Sequence, residues 1–284
     1  MGAEPLSSPG RDLRLLSSNP LSTISSALAT VTGIPVLRAG CCGWCMGRSS
    51  YYRAFNAVEL QDTFYDRPDP ERLSKLRSEA PEGFAFTMKA WQAITHPLSS
   101  PTWRRSKWRP PAELADRYGN LRTTKENLEA WDVVVKAARA LGAKVIVVQT
   151  SPGFGFSEEN ARQAREFFRS VASRDFVIGW EPRGTWRERP EEVLKVIGDI
   201  DGVIHVVDPF RASPVKEAAV TYFRLHGIGR GEVNYRYKYK EEDLRVLCEK
   251  VREPAARGDV YVMFNNVYMK DDAQAFLSLC KQVL

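Results

Sequence analysis

From Ile34 onward, short apolar, β-branched or aromatic runs alternate with segments of helical period. Eight runs read as strands: 35–42, 57–63, 84–90, 144–150, 176–182, 202–208, 221–226 and 259–266. Between them, stripes spaced by three and four place apolar residues on single helix faces. Leu128, Trp131, Val135 and Ala138 form one stripe, and Ala161, Ala164, Phe168 and Val171 another. Val193, Val196, Ile197 and Ile200, then Leu244, Leu247, Cys248 and Val251, then Phe276, Leu277 and Cys280 continue the pattern. Asp69 before Pro70 marks a helix start, a capping side chain followed by a fixed φ. Strands alternating with helices argue for an α/β fold with a parallel sheet. Eight of them in about 250 residues argue for closure into a single-domain TIM-type (β/α)8 barrel over 34–284.

Two connections strain that pattern. Residues 211–220, between strands 6 and 7, are too few for a full helix with its loops. Between strands 1 and 2 there is room only for a short helix around 49–55. An open doubly wound sheet is the alternative architecture. The longest connection, from Gln92 to about Glu126, leaves the carboxyl end of strand 3, the face on which barrel enzymes place their chemistry.

Composition narrows the class. A hydrophobic content of 43% and a charged content of 27% are globular values. No apolar run approaches the roughly 20 residues of a membrane span, so no membrane association is expected. The 41 Lys and Arg against 35 Asp and Glu give a net charge of +6, which favours anionic ligands or nucleic acid. Five cysteines in 284 residues are no disulfide framework, and a reducing, cytoplasmic setting is the simplest expectation. Residues 1–33 are rich in serine, lack the apolar core of a signal peptide and read as a flexible tail.

The functional signal lies at the strand ends, where many runs finish in groups that are costly to bury unpaired. These are Glu59 and Gln61, Lys89, Gln149, Glu181 and Arg183, Asp208, Arg224 and His226, and Asn265 and Asn266. Period two puts Glu59 and Gln61 on one face of strand 2, and Arg224 and His226 on one face of strand 7. Turned inward, they meet at one mouth and shift one another's proton affinities, as acid–base chemistry requires. The alternative is an ion-pair network that only closes the barrel. His205 lies opposite Asp208 by parity and is expected to be a core or helix-facing histidine, while His96 stays undecided. Glu59, Glu181, Asp208 and His226 are chemically able to take a divalent metal, but no compact ligand motif accompanies them and no metal residues are assigned.

Gly227, Gly229 and Gly231 follow strand 7 in a loop suited to a phosphate, with Arg224 and Arg230 nearby. The spacing is not that of a dinucleotide fold. Two stretches interleave aromatic and basic residues: Trp103, Arg104, Arg105, Lys107, Trp108 and Arg109, and then Tyr235 to Lys240. They either stack bases of a nucleic acid or pack their rings on the barrel rim with the charges in water. Cys42 and Cys45 form a CxxC beside Cys41, short of the four ligands a structural zinc needs.

Six segments in order resemble the YecE-like family (domain of unknown function 72): CGW (42–44), NAVELQDTFY (56–65), GFAFTMKAWQAITH (83–96), EPRGTW (181–186), YFRLHG (222–227) and YVMFNN (261–266). The resemblance covers nearly the whole chain except the tail. It implies a TIM barrel and a shared pocket containing Glu59, Lys89, Glu181, Arg183, Arg224, His226 and Asn265, with Trp44 in the first matching segment. The expectation is an enzyme, a hydrolase or isomerase in character, acting on a phosphorylated or nucleotide-like substrate. Glu59, Lys89, Glu181, Asp208 and His226 are its catalytic candidates. Gln61, Trp44, Arg183, Arg224, Gly227, Gly229 and Asn265 are candidates for binding the ligand. The competing expectation is a protein that binds tRNA or single-stranded DNA through Arg104, Arg105 and Trp108, with or without a nuclease-like, metal-dependent activity.

Overall fold

All eight expected runs form strands, each paired in parallel with its neighbours. The computed structural model describes Met1 and residues 36–283; the tail expected over 1–33 otherwise lies outside the described residues. The strands are β1 (Leu37–Cys42), β2 (Ala57–Leu60), β3 (Ala85–Lys89), β4 (Val145–Gln149), β5 (Val177–Glu181), β6 (Val203–His205), β7 (Val220–Leu225) and β8 (Asp259–Phe264). Their order is β6-β5-β4-β3-β2-β1-β8-β7. Past the end of β6, a parallel bridge between Val207 and Phe223 brings the two outer strands together, so the sheet is a nearly closed barrel and not an open one. Arg224 N–H donates to the Val207 carbonyl at 2.9 Å across this seam.

The helices are α1 (Arg48–Ala54), α2 (Asp62–Tyr65), α3 (Pro70–Glu79), α4 (Gln92–Thr95), α5 (Lys125–Leu141), α6 (Glu158–Val171), α7 (Pro190–Ile197), α8 (Glu241–Ala255) and α9 (Met269–Val283). Short polar side chains cap the starts of α3, α5 and α6. Asp69 accepts from the Glu71 and Arg72 N–H groups at the head of α3, and Ser157 accepts from Asn160 N–H at 3.0 Å at the head of α6. Gly142 ends α5 in the left-handed region at φ 63°, where a glycine carries no Cβ penalty. Of the expected apolar stripes, Trp131, Phe168, Val196, Leu247 and Phe276 are buried, while Leu128, Val135, Ala161 and Leu277 are half-buried. Among the described residues no helix is long and apolar enough to cross a membrane.

Three details depart from the expected elements. Strand 2 stops at Leu60, and Gln61 caps α2. The stretch from Gln92 onward is not an open loop, because α4 and two 3-10 turns (Pro101–Arg105 and Ala112–Arg117) fold it against the barrel. Cys248 and Cys280, expected only to pack on their helices, are joined by a disulfide that ties α8 to α9. No helix lies between β6 and β7, as the length of that segment predicts.

The amino-terminal part of the barrel interior is apolar. Ala57, Ala85, Val145, Val147, Ile204, Val206 and Met263 fill it, and Tyr222 stacks on Tyr261 with centroids 5.4 Å apart. The Tyr222 hydroxyl ends this layer, within 2.7 Å of the Thr87 hydroxyl and donating to Glu59 at 2.9 Å. Beyond it, toward the carboxyl ends of the strands, lie the buried Glu59, Lys89, Glu181 and Arg224.

Candidate functional site

Parity along β2, β5 and β7 turns Glu59, Glu181 and Arg224 toward one another, and Arg224 is the hub. Its Nε and Nη2 donate to the two oxygens of Glu59 at 3.0 and 2.8 Å, a bidentate pair with residue exposures of 1% and 0%. Its Nη1 donates to Glu181 Oε2, and Nη2 lies 3.7 Å from the Cys42 sulfur. Glu181 also pairs with Arg183 at 2.5 Å and accepts from Gln149 at 2.9 Å. Gln149 in turn accepts from Lys89 Nζ at 3.0 Å, and that ammonium sits 4.0 Å over the Phe64 ring. Gln61 donates to Glu59 from its position at the cap of α2.

A second set of contacts joins the carboxyl ends of β6 and β7. Arg183 Nη2 donates to His226 Nε2 at 3.0 Å, which leaves that nitrogen as the lone-pair acceptor of a neutral ring. Asp208 accepts from the His226 N–H at 3.0 Å and from the Phe210 N–H at 3.0 Å. Arg211 lies 3.7 Å from Asp208. Its guanidinium donates to the carbonyls of Gly227 at 2.7 Å and Gly231 at 2.6 Å, and reaches Gly229 at 3.5 Å. The N–H of Gly227 is taken by the Tyr239 hydroxyl at 2.9 Å. In this loop the glycine carbonyls therefore hold a cation, and a phosphate would meet Arg211 before it met the Gly227 N–H.

These contacts set the proton affinities. Burial raises the Glu181 carboxyl, but Arg183, Arg224 and His226 outweigh it and hold the group below the usual carboxylate range. Asp208 moves the other way, because burial raises it more than its two backbone N–H donors and Arg211 lower it. Burial keeps His226 well below its ordinary value against the pull of Glu181. Lys89 is pulled down to about 8, first by burial and then by Arg224. Burial pushes the Cys42 thiol well up, and neighbouring Glu59 adds to the rise.

A cavity of about 450 Å³ opens beside this network. Of the expected site residues, Glu181, Arg183, Asp208 and His226 line it. Glu59, Lys89, Gln61 and Arg224 do not line it. The cavity exists because β6 and β7 are joined without a helix: the segment Ala212–Val215 forms one side, and Trp186, Arg187 and Pro190 the other. For the same reason His205, on the opposite face from Asp208, also reaches the cavity; it is 8% exposed and its Nδ1 has no hydrogen-bond partner. Sequence reasoning did not single out Arg211 or Glu232, which complete the wall; Glu232 lies 3.4 Å from Arg183. Their signals were present, since Arg211 stands one turn after Asp208 and Glu232 directly follows the glycine loop. Tyr222 was legible in the same way, two residues before Arg224 on the same face.

Other candidates lie elsewhere. Trp44 packs edge-on against Tyr51 and Tyr52 of α1, at 5.0 and 5.7 Å. Asn265 is half-buried and ties its backbone N–H to Leu225. The Trp108 ring lies against Trp91, Trp103 and Tyr118, and Arg105 stacks 3.7 Å over Tyr65. Arg104 is exposed. The second aromatic–basic stretch is likewise engaged, with Tyr237 bonded to Asp243 at 2.6 Å and Lys238 to Asp272 at 2.5 Å. His96 is buried edge-on to Phe64 and bonded to Thr95 at 2.7 Å. Among the described residues no three His, Cys, Asp or Glu side chains are grouped to hold a metal ion.

Comparison with solved structures places the fold beside two proteins. A DUF72 family protein from Enterococcus faecalis V583 superposes with a TM-score of 0.62 at 22% identity, covering 88% of this chain and 98% of that one. A DUF72 family protein from Thermotoga maritima MSB8 gives 0.60 at 23% identity, with 86% and 99% covered. A comparison with curated proteins finds no match. The family model described as "Protein of unknown function DUF72" matches residues 48–284, from α1 through every later strand of the barrel, and the chain belongs to that family.

Proposed function

We propose that the chain is an enzyme that carries out acid–base chemistry on a small phosphorylated or nucleotide-like substrate in the cavity between β5, β6 and β7. The observation that carries this reading is the meeting of Glu181, Arg183, Asp208 and His226, from three separate strand ends, on one cavity wall, where burial raises Asp208 while Arg183 and Arg224 hold Glu181 down against its own burial. Surroundings that drive two acids apart divide a proton-exchanging group from a permanent anion. Asp208 is the exchanging group. Glu181 stays ionised and fixes Arg183 and Arg224. His226, neutral with its Nε2 lone pair accepting from Arg183, holds that guanidinium in place. Lys89 adds positive potential from behind Gln149, and Glu59 is a positioning residue that acts through Arg224. Arg183 and Arg211 both line the cavity and both keep an Nε–H without a hydrogen-bond partner, that of Arg211 standing 3.7 Å from Asp208, which suits them to an anion.

The test is a panel of p-nitrophenyl phosphate, sugar phosphates and nucleoside monophosphates followed by phosphorus NMR, which reports hydrolysis and isomerisation alike. One class is expected to turn over and to raise the melting temperature. D208N keeps one carbonyl oxygen but turns its amide toward one of the two N–H groups, because His226 and Phe210 bond different oxygens of Asp208; it is expected to lower kcat by about 10² to 10⁴ and stability in urea by about 1–3 kcal/mol. A panel that neither turns over nor binds, or a D208N variant as fast as the parent, overturns the reading. Salt-dependent binding of tRNA or single-stranded DNA that is lost in R104A/R105A overturns it in favour of a nucleic-acid ligand.

A further inference from the structure

The segment Cys41–Cys45 carries three thiols that the proposed chemistry does not use. Cys41 and Cys42 end β1 on opposite faces: Cys42 enters the barrel beside Arg224, and Cys41 turns outward among the helices. The chain then reverses through Gly43, whose φ of +101° suits a residue without a Cβ. That turn brings Cys45 back over Cys41, with the two sulfurs 3.5 Å apart. Cys41 is fully buried, its sulfur also 3.5 Å from the Met269 carbonyl at the head of α9, and Cys45 is only half-buried. The remaining cysteines, Cys248 and Cys280, are already bonded to each other.

We infer that Cys41 and Cys45 are a redox-active dithiol that exchanges electrons with low-molecular-weight disulfides of the oxidised-glutathione class. The accessible sulfur attacks and the buried one resolves. The Cys45 thiolate attacks one sulfur of the external disulfide, forming a mixed disulfide and releasing one external thiolate. That first thiolate takes up the proton Cys45 gave up; Cys41 then attacks the Cys45 sulfur, its own proton passes to the second external thiolate, and that thiol leaves. The balance is one protein dithiol and one external disulfide giving one protein disulfide and two external thiols. Closing the bond requires the sulfurs to approach by about 1.5 Å, within reach of a side-chain adjustment in a five-residue turn. The electrostatics agree with this division of roles: the hydrogen bond from Cys41 lowers the Cys45 thiol and Lys270 adds to the effect, while the same bond and burial push Cys41 up. Cys42 is no competitor for Cys45, because it is held in the barrel beside Arg224.

The test uses the full chain in glutathione buffers of graded oxidation, quenched with acid, alkylated and mapped by peptide mass spectrometry. The Cys41–Cys45 disulfide is expected to rise and fall reversibly with the buffer ratio. Cys45 is expected to react with iodoacetamide at pH 7 faster than free glutathione does. C41S should trap glutathione on Cys45, and C45S should leave Cys41 unmodified. The parent measurement needs no variant, so a folding defect in either substitution leaves it decisive. The inference is overturned if both thiols stay reduced in the most oxidising buffer, if the bond forms between Cys42 and Cys45, or if Cys45 of C41S acquires no glutathione.

Discussion

Arg224 shows how much of the site rests on one side chain. It is 1% exposed and satisfies two carboxylates that would otherwise be buried ions. Taking charges out of water costs several kcal/mol per ion, and their mutual attraction offsets this only while every partner stays in place. R224A should therefore destabilise the fold by about 3–5 kcal/mol. Most of that loss reflects the stranded carboxylates and not the absent guanidinium. A double-mutant cycle separates the two: R224M and E59Q together should cost less than the sum of the single changes by about 2 kcal/mol in urea unfolding. Additive costs would mean that the 2.8 and 3.0 Å contacts are not a coupled pair. Parity along two strands was enough to predict that Glu59 and Arg224 face inward. It could not say that Glu59 would be sealed behind Arg224 while Asp208 and His226 reach the cavity, because depth inside a barrel depends on where all eight strands end.

At the scale of elements, the disulfide between α8 and α9 closes a loop with a sequence separation of 32 residues. Cross-linking a loop of that length stabilises by about 3–4 kcal/mol, mainly by restricting the unfolded chain. Reduction with dithiothreitol, or C280S, should lower the urea midpoint accordingly while far-UV circular dichroism keeps its native shape. A parent in which all five cysteines titrate as free thiols, Cys248 and Cys280 included, with no change on reduction, would refute the bridge. The pairing was not legible, because both cysteines sit on apolar helix faces where sulfur and methyl groups look alike. The strands were legible from β-branched runs with polar ends, and the absent helix from the short count between β6 and β7. What sequence length could not convey is the consequence of that absence. Without a helix over β6, His205 lines a cavity that a regular barrel would fill, and the segment around Pro214 becomes its wall. Trp44 misled for the complementary reason: a motif residue next to the mouth turned to α1, where two tyrosine edges take its ring.

For the whole molecule, the three histidines act together although they sit in different places. His96, His205 and His226 are 7%, 8% and 2% exposed, and they are all the histidines in the chain. Burial lowers each below its ordinary 6.5: His96 to about 3, with Lys89 adding, His205 to about 4, and His226 well down. A group whose folded pKa is depressed contributes stability that is whole above its unfolded value and lost as pH falls. Between about pH 6 and pH 4.5 the unfolded chain therefore binds up to three protons that the folded barrel refuses. Stability should fall by roughly 4 kcal/mol per pH unit once all three titrate. Asp208 works against this loss, since its raised pKa favours protonation in the fold, and Glu181 joins the loss only as pH drops below its ordinary 4.5. The barrel should consequently unfold at mildly acidic pH, before its carboxylate pairs are broken. Urea midpoints at half-unit steps from pH 7.5 to 4.5 measure this directly, with a plateau above 6.5 and a steepening decline below it. H205Q, which removes a histidine outside the main ion-pair network, should shallow the decline by about one-third. A midpoint that stays level down to pH 5 would mean that the histidines accept protons inside the fold, and the neutral His226 on which the proposed chemistry depends would be lost with it.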